Sequence, residues 1–265
     1  MTFRELVKRL SDSGVPDPKT DARLLLSHFF GVSAAMLYAE RDKNYESAAF
    51  DEAVTRRCAR EPLQHILGEV YFYGERYFVS SDCLSPRADT ELLVEDACQT
   101  LPCGALFADL CTGSGCIALS ILAHRPDLTA IAVDISERAL AIAKKNAEEL
   151  GLSSRIRFFR CDVLKDELSF PLPDHILSNP PYIRTDVIPT LAPELAFEPT
   201  LALDGGTDGL LFYRAMLDRF AAGRFYFESG FDQKDAVVAL GTAKGYAART
   251  ACDAGGCDRL VVLEK

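Results

Sequence analysis

From about residue 100 onward, short β-rich runs alternate with stretches of helical periodicity, and that alternation constrains the fold more tightly than any other feature. Residues 105–109, 129–134, 156–160 and 175–178 read as strands, with helices expected over 116–123 and 137–150 between them. A helix over 210–220, a strand over 224–228, a helix over 233–244 and strands over 246–250 and 259–263 complete the pattern. Strands separated by helices pair in parallel and take helices on both faces, so the pattern predicts an α/β, doubly wound sheet. The segment 162–174 carries Pro171 and Pro173 and is too proline-rich for a long helix.

The first third of the chain has a different period. Thr2 and Glu5 form a capping-box pair, and Phe3, Leu6, Val7 and Leu10 recur at helical spacing. Asp17-Pro18 starts a second helix that Gly31 ends, residues 34–39 form a third, and 47–59 a fourth that stops at Pro62. Helices without intervening strands predict a small helical domain over residues 1–65. Aromatic and β-branched residues on either side of Gly74-Glu75 predict a hairpin linker within 66–84, leaving 85–265 for the α/β domain. Asp89 is placed to cap the helix carrying Leu92, Leu93 and Ala97.

Composition excludes several classes of function. A net charge of −10 disfavours stable binding to nucleic acid, whose phosphates are held by clustered Lys and Arg. The crowded Arg56, Arg57 and Arg60 read as a solvated helix face. No apolar run approaches the roughly 18 residues of a membrane span, and the first residues lack the pattern of a secretory signal, so no membrane association and a cytoplasmic location are expected. Nine cysteines without a Cys-x-x-Cys pair read as reduced thiols, and neither they nor the four scattered histidines have ligand spacing, so no metal is expected.

Asp109-Leu110-Cys111-Thr112-Gly113-Ser114-Gly115 leaves a strand and opens a helix, where glycines let backbone approach a ligand closely. Gly113-x-Gly115-x-x-Ala118 also fits a dinucleotide fingerprint, with Asp134 available for a ribose in either NAD or S-adenosylmethionine, so the loop alone does not choose. Two carboxylates favour S-adenosylmethionine. Asp109 would stand near the zwitterionic methionine end and sulfonium, a position repulsive to pyrophosphate, and Asp162 would accept the adenine amino group.

Asn179-Pro180-Pro181-Tyr182 follows the strand 175–178 at its carboxyl end, where ligands bind in open α/β sheets. An amide or conjugated amine nitrogen is a poor nucleophile because its lone pair is delocalised. The Asn179 oxygen and the Pro180 carbonyl can accept its two N–H hydrogens and favour positive charge as it develops, without a strong base. Pro180 and Pro181 fix φ and remove competing donors, and Tyr182 offers a ring for a planar group to stack on.

With these residues in view, the chain resembles the HemK/PrmC family of bacterial protein-(glutamine-N5) methyltransferases, which modify the Gly-Gly-Gln loop of class 1 peptide-chain release factors. Besides 179–182, the similarity rests on Arg60–Gly68, Phe72-Tyr73-Gly74, Ser85–Glu91, Phe197-Glu198-Pro199, Leu203–Leu210 and Asp258-Arg259. The resemblance implies the Rossmann-like sheet of S-adenosylmethionine-dependent methyltransferases with a helical amino-terminal domain that grips the release factor. It also implies that Cys111, Thr112, Gly113, Ser114, Gly115 and Asp134 hold the cofactor, that Asp162 and Val163 flank its adenine, and that Asn179, Pro180, Pro181 and Tyr182 hold the glutamine; Asp109, from its charge, and Asn179 are expected to bind the cofactor as well. Cys111 stands where the loop usually has its first glycine, Val163 where an aromatic often packs, and Ala88 where proline is usual. Glutamine of a ribosomal protein and the N6 nitrogen of adenine in DNA or RNA are the alternative substrates, since both present a planar conjugated nitrogen.

Overall fold

The computed structural model describes residues 1–39 and 42–265, and the chain forms two compact units, 1–69 with 192–197, and 70–191 with 198–265.

The first unit is helical: α1 (Phe3–Asp12), α2 (Pro18–Phe30), α3 (Ala34–Ala39), α4 (Ala48–Cys58) and α5 (Leu63–Leu67). The Thr2 hydroxyl accepts from the Glu5 amide while the Glu5 carboxylate accepts from the Thr2 amide, which closes the expected capping box. Asp17 caps α2 with Pro18 in its first turn, and Gly31 ends it in the left-handed conformation. Leu6, Leu10, Leu25, Leu26, Phe50 and Val54 are buried together as the core. The short α5 is an addition to the expected helices, because proline ends one helix yet suits the start of the next, and Pro62 does both.

The Arg56–Arg60 cluster corrects an expectation. The Arg57 side chain is only 6% exposed, with Nε 2.6 Å from the Asp21 carboxylate and Nη2 3.2 Å from Glu194, whose oxygens also accept from Arg60 at 2.6 and 2.7 Å. Its partners lie 36 and 137 positions away in sequence, beyond the reach of local pattern. Removing one member of such a buried pair costs about 3–5 kcal/mol, because the other charge is left uncompensated.

A hairpin of β1 (Glu69–Phe72) and β2 (Glu75–Phe78) comes next. Its turn is Tyr73-Gly74, with φ of 49° and 85°, one residue earlier than expected. A two-residue turn needs positive φ at both positions to match the twist of its strands. Residues 88–90 then form a 3-10 turn before α6 (Glu91–Thr100), and Asp89 makes no cap. Its carboxylate is instead 3.0 Å from Arg259 Nη2, a partner from the far end of the chain.

The remaining elements are β3 (Leu106–Leu110), α7 (Cys116–His124), β4 (Thr129–Asp134), α8 (Glu137–Glu149), β5 (Ile156–Arg160), β6 (His175–Ser178), α9 (Leu211–Arg219), β7 (Arg224–Glu228), α10 (Lys234–Ala243), β8 (Ala247–Cys252) and β9 (Asp258–Glu264). They build a seven-stranded sheet in the order β5-β4-β3-β6-β7-β9-β8. Only β9 runs against its neighbours, inserted between β7 and β8. The central strands are nearly continuous apolar runs because both faces are covered, one by a core that includes Ile117, Ile121 and Leu177 and the other by a core that includes Phe212, Met216 and Phe225. Strand order reverses between β3 and β6. The loops leaving those two strands diverge to opposite sides and open a crevice at their carboxyl ends, the general ligand position in such sheets.

Candidate active site

A cleft of about 840 Å³, including solvent at its mouth, lies at this reversal point. Cys111, Gly113, Asp134, Asp162, Val163, Asn179 and Pro181 border it, so residues expected to hold a cofactor share one cavity with part of the 179–182 turn. Asp109, Thr112, Ser114, Gly115, Pro180 and Tyr182 are not among the residues that border it.

The loop after β3 is shaped by backbone angles. Cys111, Gly113 and Gly115 have φ of 62°, 54° and 82°, so alternate residues are left-handed. A non-glycine residue there costs about 1–2 kcal/mol, which Cys111 carries. Asp134, at the end of β4, accepts from the Gly113 amide at 2.9 Å and the Ser136 amide at 2.9 Å. Each carboxylate oxygen keeps a further lone pair, so Asp134 can still accept a hydroxyl of a ligand. Burial raises its pKa. Asp109 lies beneath the loop, fully buried, accepting from the Thr112 hydroxyl at 2.5 Å and the Ala118 amide at 3.3 Å. Its Oδ1 has no partner, and burial pushes its pKa up to about 7. Asp109 thus supports the loop from below and does not border the cleft.

The Thr112 and Gly115 amides donate to the Val133 and Thr112 carbonyls, and Gly113 donates to Asp134. With those donors engaged, Asp109 and Asp134 beside the loop disfavour a pyrophosphate there and favour positive charge on a ligand. Asp162, beyond β5, accepts from the Leu164 amide at 2.9 Å and pairs with Lys165 at 3.1 Å, while Val163 and Ile135 supply apolar wall. A carboxylate for hydroxyls and apolar sides for a flat heterocycle make a donor set that fits S-adenosylmethionine.

The 179–182 turn leaves β6 with Ser178 anchored by its hydroxyl to the Leu110 carbonyl at 2.6 Å. Pro180 and Pro181 are buried. The Asn179 Nδ2 donates to the Thr90 hydroxyl at 3.2 Å, which turns Oδ1 away from that contact. The Tyr182 ring packs against the core, and its hydroxyl donates to Glu228 Oε1 at 3.5 Å; burial raises its pKa.

Several residues of the site carry no local sequence signal. Asn146 of α8 is fully buried, with Oδ1 accepting from the Phe78 amide at 2.7 Å and Nδ2 donating to the Phe78 carbonyl at 3.1 Å and the Ser114 carbonyl at 2.9 Å. It ties the β-hairpin to the glycine loop. Gly205 approaches the 179–182 turn so closely that a Cβ there would lie 2.7 Å from Tyr182 Cα and 2.8 Å from the Pro181 carbonyl oxygen. Gln233 Nε2 donates to the Tyr182 carbonyl at 2.8 Å. The Leu203–Leu210 stretch is therefore the clamp on 179–182, which gives a physical reason for its glycines. Glu228 could have been suspected, being an acidic residue that ends an apolar strand; Ile135 directly follows Asp134 and so leaves the sheet at its ligand-binding end.

No helix among the described residues is long and apolar enough to cross a membrane, and among the same residues no group of three or more His, Cys, Asp or Glu is placed to hold a metal.

Comparison with known proteins adds independent findings. Residues 2–68 match the family described as the PrmC N-terminal domain, and residues 88–199 match the methyltransferase small domain. The release factor glutamine methyltransferase of Cereibacter sphaeroides is 41% identical over 98% of this chain and 95% of its own length. The protein of the same name from Caulobacter vibrioides is 38% identical over 96% and 92%. Among solved structures, the E. cuniculi Mtq2-Trm112 complex, described as responsible for methylation of the eRF1 termination factor, aligns with a TM-score of 0.51 at 21% identity over 69% of this chain and 99% of that one, a likeness of fold.

Proposed function

This chain belongs to the release factor glutamine methyltransferase family, and from that premise we propose that it transfers a methyl group from S-adenosylmethionine to the side-chain amide nitrogen of the Gly-Gly-Gln glutamine in class 1 peptide-chain release factors. The observation that carries the proposal is the shared cleft: Gly113, Asp134 and Val163 border the same cavity as Asn179 and Pro181. The bound cofactor supplies an electrophilic methyl group on its sulfonium.

The protein's own residues account for the rest. Asp134 would accept ribose hydroxyls, Ile135 and Val163 would supply apolar surface for the adenine, and Asp162 would accept from its amino group. The Cys111–Gly115 loop would hold the methionine end, with the buried Asp109 side chain beneath it. Asn179 Oδ1 and the Pro180 carbonyl accept the two N–H hydrogens of the glutamine amide. That holds the nitrogen in line and stabilises it as it becomes cationic, the state in which acceptors gain most. The amide nitrogen would exchange one N–H proton, lost to solvent, for the methyl group that the bound cofactor would supply, while Asn179 and Pro180 hold the remaining hydrogen and the growing positive charge. Tyr182 closes the turn from behind through its packing on the core. The helical domain, residues 1–65, serves to grip the release factor in the cytoplasm, with 66–84 as linker and 85–265 as the methyltransferase domain.

The test is incubation of the full chain with isotope-labelled S-adenosylmethionine and, separately, a release factor, a ribosomal protein carrying an accessible glutamine, and duplex DNA, followed by mass spectrometry. Label on the side chain of the Gly-Gly-Gln glutamine is expected. Label on adenine, on the ribosomal protein alone, or on nothing would overturn the assignment.

A further inference from the structure

We propose that Thr90 and Glu228 are positioning residues that set which way the Asn179 side-chain amide faces, so that its oxygen and not its NH2 group meets the substrate. The inference deepens the function proposed above and rests on it.

Three groups form a chain behind the catalytic turn. Asn179 Nδ2 donates to Thr90 Oγ1 at 3.2 Å. Thr90 is 2% exposed, in the 3-10 turn just before α6. Its hydroxyl also favours the charged form of the Glu228 carboxylate. Glu228 ends β7, is 2% exposed and accepts from Tyr182 Oη at 3.5 Å, while its Oε2 has no partner. A buried carboxylate oxygen left open beside a catalytic turn calls for an explanation.

Donor and acceptor counting supplies one. A hydroxyl has a single hydrogen, an ionised carboxylate only accepts, and an amide can present either its oxygen or its NH2. While Glu228 is charged, the Thr90 hydrogen is drawn to it, and Thr90 can serve Asn179 only as an acceptor. That leaves Nδ2 against Thr90 and Oδ1 toward the cleft. When Glu228 is protonated it can donate to Thr90, whose hydrogen is then free for Asn179 Oδ1. The amide can turn over by rotation about its last torsion, placing NH2 against the NH2 of the substrate. The rotamer competent for catalysis therefore belongs to charged Glu228.

The surroundings place this switch near neutrality. Burial pushes the Glu228 carboxyl up to about 7 against the pull of Thr90, Arg259 of β9 and Tyr182, with Asp89 adding to the rise. From α9 the Tyr213 hydroxyl donates to the Glu228 carbonyl at 2.7 Å, and Cys116 of α7 is also within its field. Because the charged form is the active one, turnover rises as pH climbs through that value.

The test uses the full chain. Without ligands, the side-chain NH2 resonances of Asn179 should follow the Glu228 carboxyl titration, lose that dependence in Thr90→Val and keep it in Thr90→Ser. With substrate, Thr90→Val should lower kcat by roughly a hundred-fold while KM and cofactor affinity move less than about three-fold, and Thr90→Ser should restore most of the rate. Glu228→Gln should abolish the acid limb of the kcat profile. Wild-type kcat in Thr90→Val, an acid limb that survives Glu228→Gln, or Asn179 resonances indifferent to Glu228 would each overturn the proposal. Coupled resonances in a protein that methylates no glutamine would sustain it and sink the function instead.

Discussion

The two loops that meet at the sheet's reversal point are made rigid in opposite ways. The loop after β3 carries its shape in its own backbone, with three left-handed residues in five and amides already engaged by the loop itself, by Val133 and by Asp134. The turn after β6 has prolines at its centre but is held from outside, by Gly205 pressed against Tyr182, by Gln233 on the Tyr182 carbonyl and by Thr90 on Asn179. A loop that must wrap a flexible ligand gains from local curvature. In the proposed function the turn aims two oxygens at one nitrogen, and such a turn gains from neighbours that allow no other position, since a misplacement near 1 Å can cost about a hundred-fold in rate.

Four substitutions probe this contrast. Asn179→Ala removes an aimed acceptor and should reduce methyl transfer roughly 10³-fold or more, while cofactor affinity, measured by calorimetry, changes only a few fold. Retained activity would mean the turn does not hold the substrate. Gly205→Ala puts a methyl group into the Tyr182 backbone and should lower kcat about a hundred-fold, with a stability loss of about 1–3 kcal/mol in urea titration. If only stability fell, the clamp would be structural and the contrast would fail. Asn146→Ala leaves Phe78 and Ser114 backbone groups without partners, and should cost about 2–3 kcal/mol and weaken cofactor binding more than it slows turnover. The smallest effect is expected of Cys111→Gly, which relieves left-handed strain in the β3 loop; Tm should rise by about 2 °C, and a fall would show that burial of the thiol outweighs the strain.

Much of the fold was legible because its signals are local. The capping box at Thr2 and Glu5, the left-handed Gly31 and the alternation after residue 100 each depend on residues a few positions apart. The glycine loop and the proline turn were visible for the same reason. Distant pairing was not. Arg57 looked solvated because Glu194 is 137 positions away, and Asp89 looked like a helix cap because Arg259 cannot be seen beside it. The insertion of β9 between β7 and β8 was likewise hidden, since an apolar strand carries no mark of its neighbours.

By itself, then, the sequence determined element types, the two loops that border the cleft and the residue types available to them, because propensity, capping and positive φ act over a few bonds. Only the tertiary structure decided which of those residues face the cleft. It sank Asp109 beneath the loop, brought Gly205 onto the turn and set Thr90 and Glu228 behind Asn179, because packing and hydrogen-bond partnership are settled by whichever groups the sheet order brings within about 3 Å.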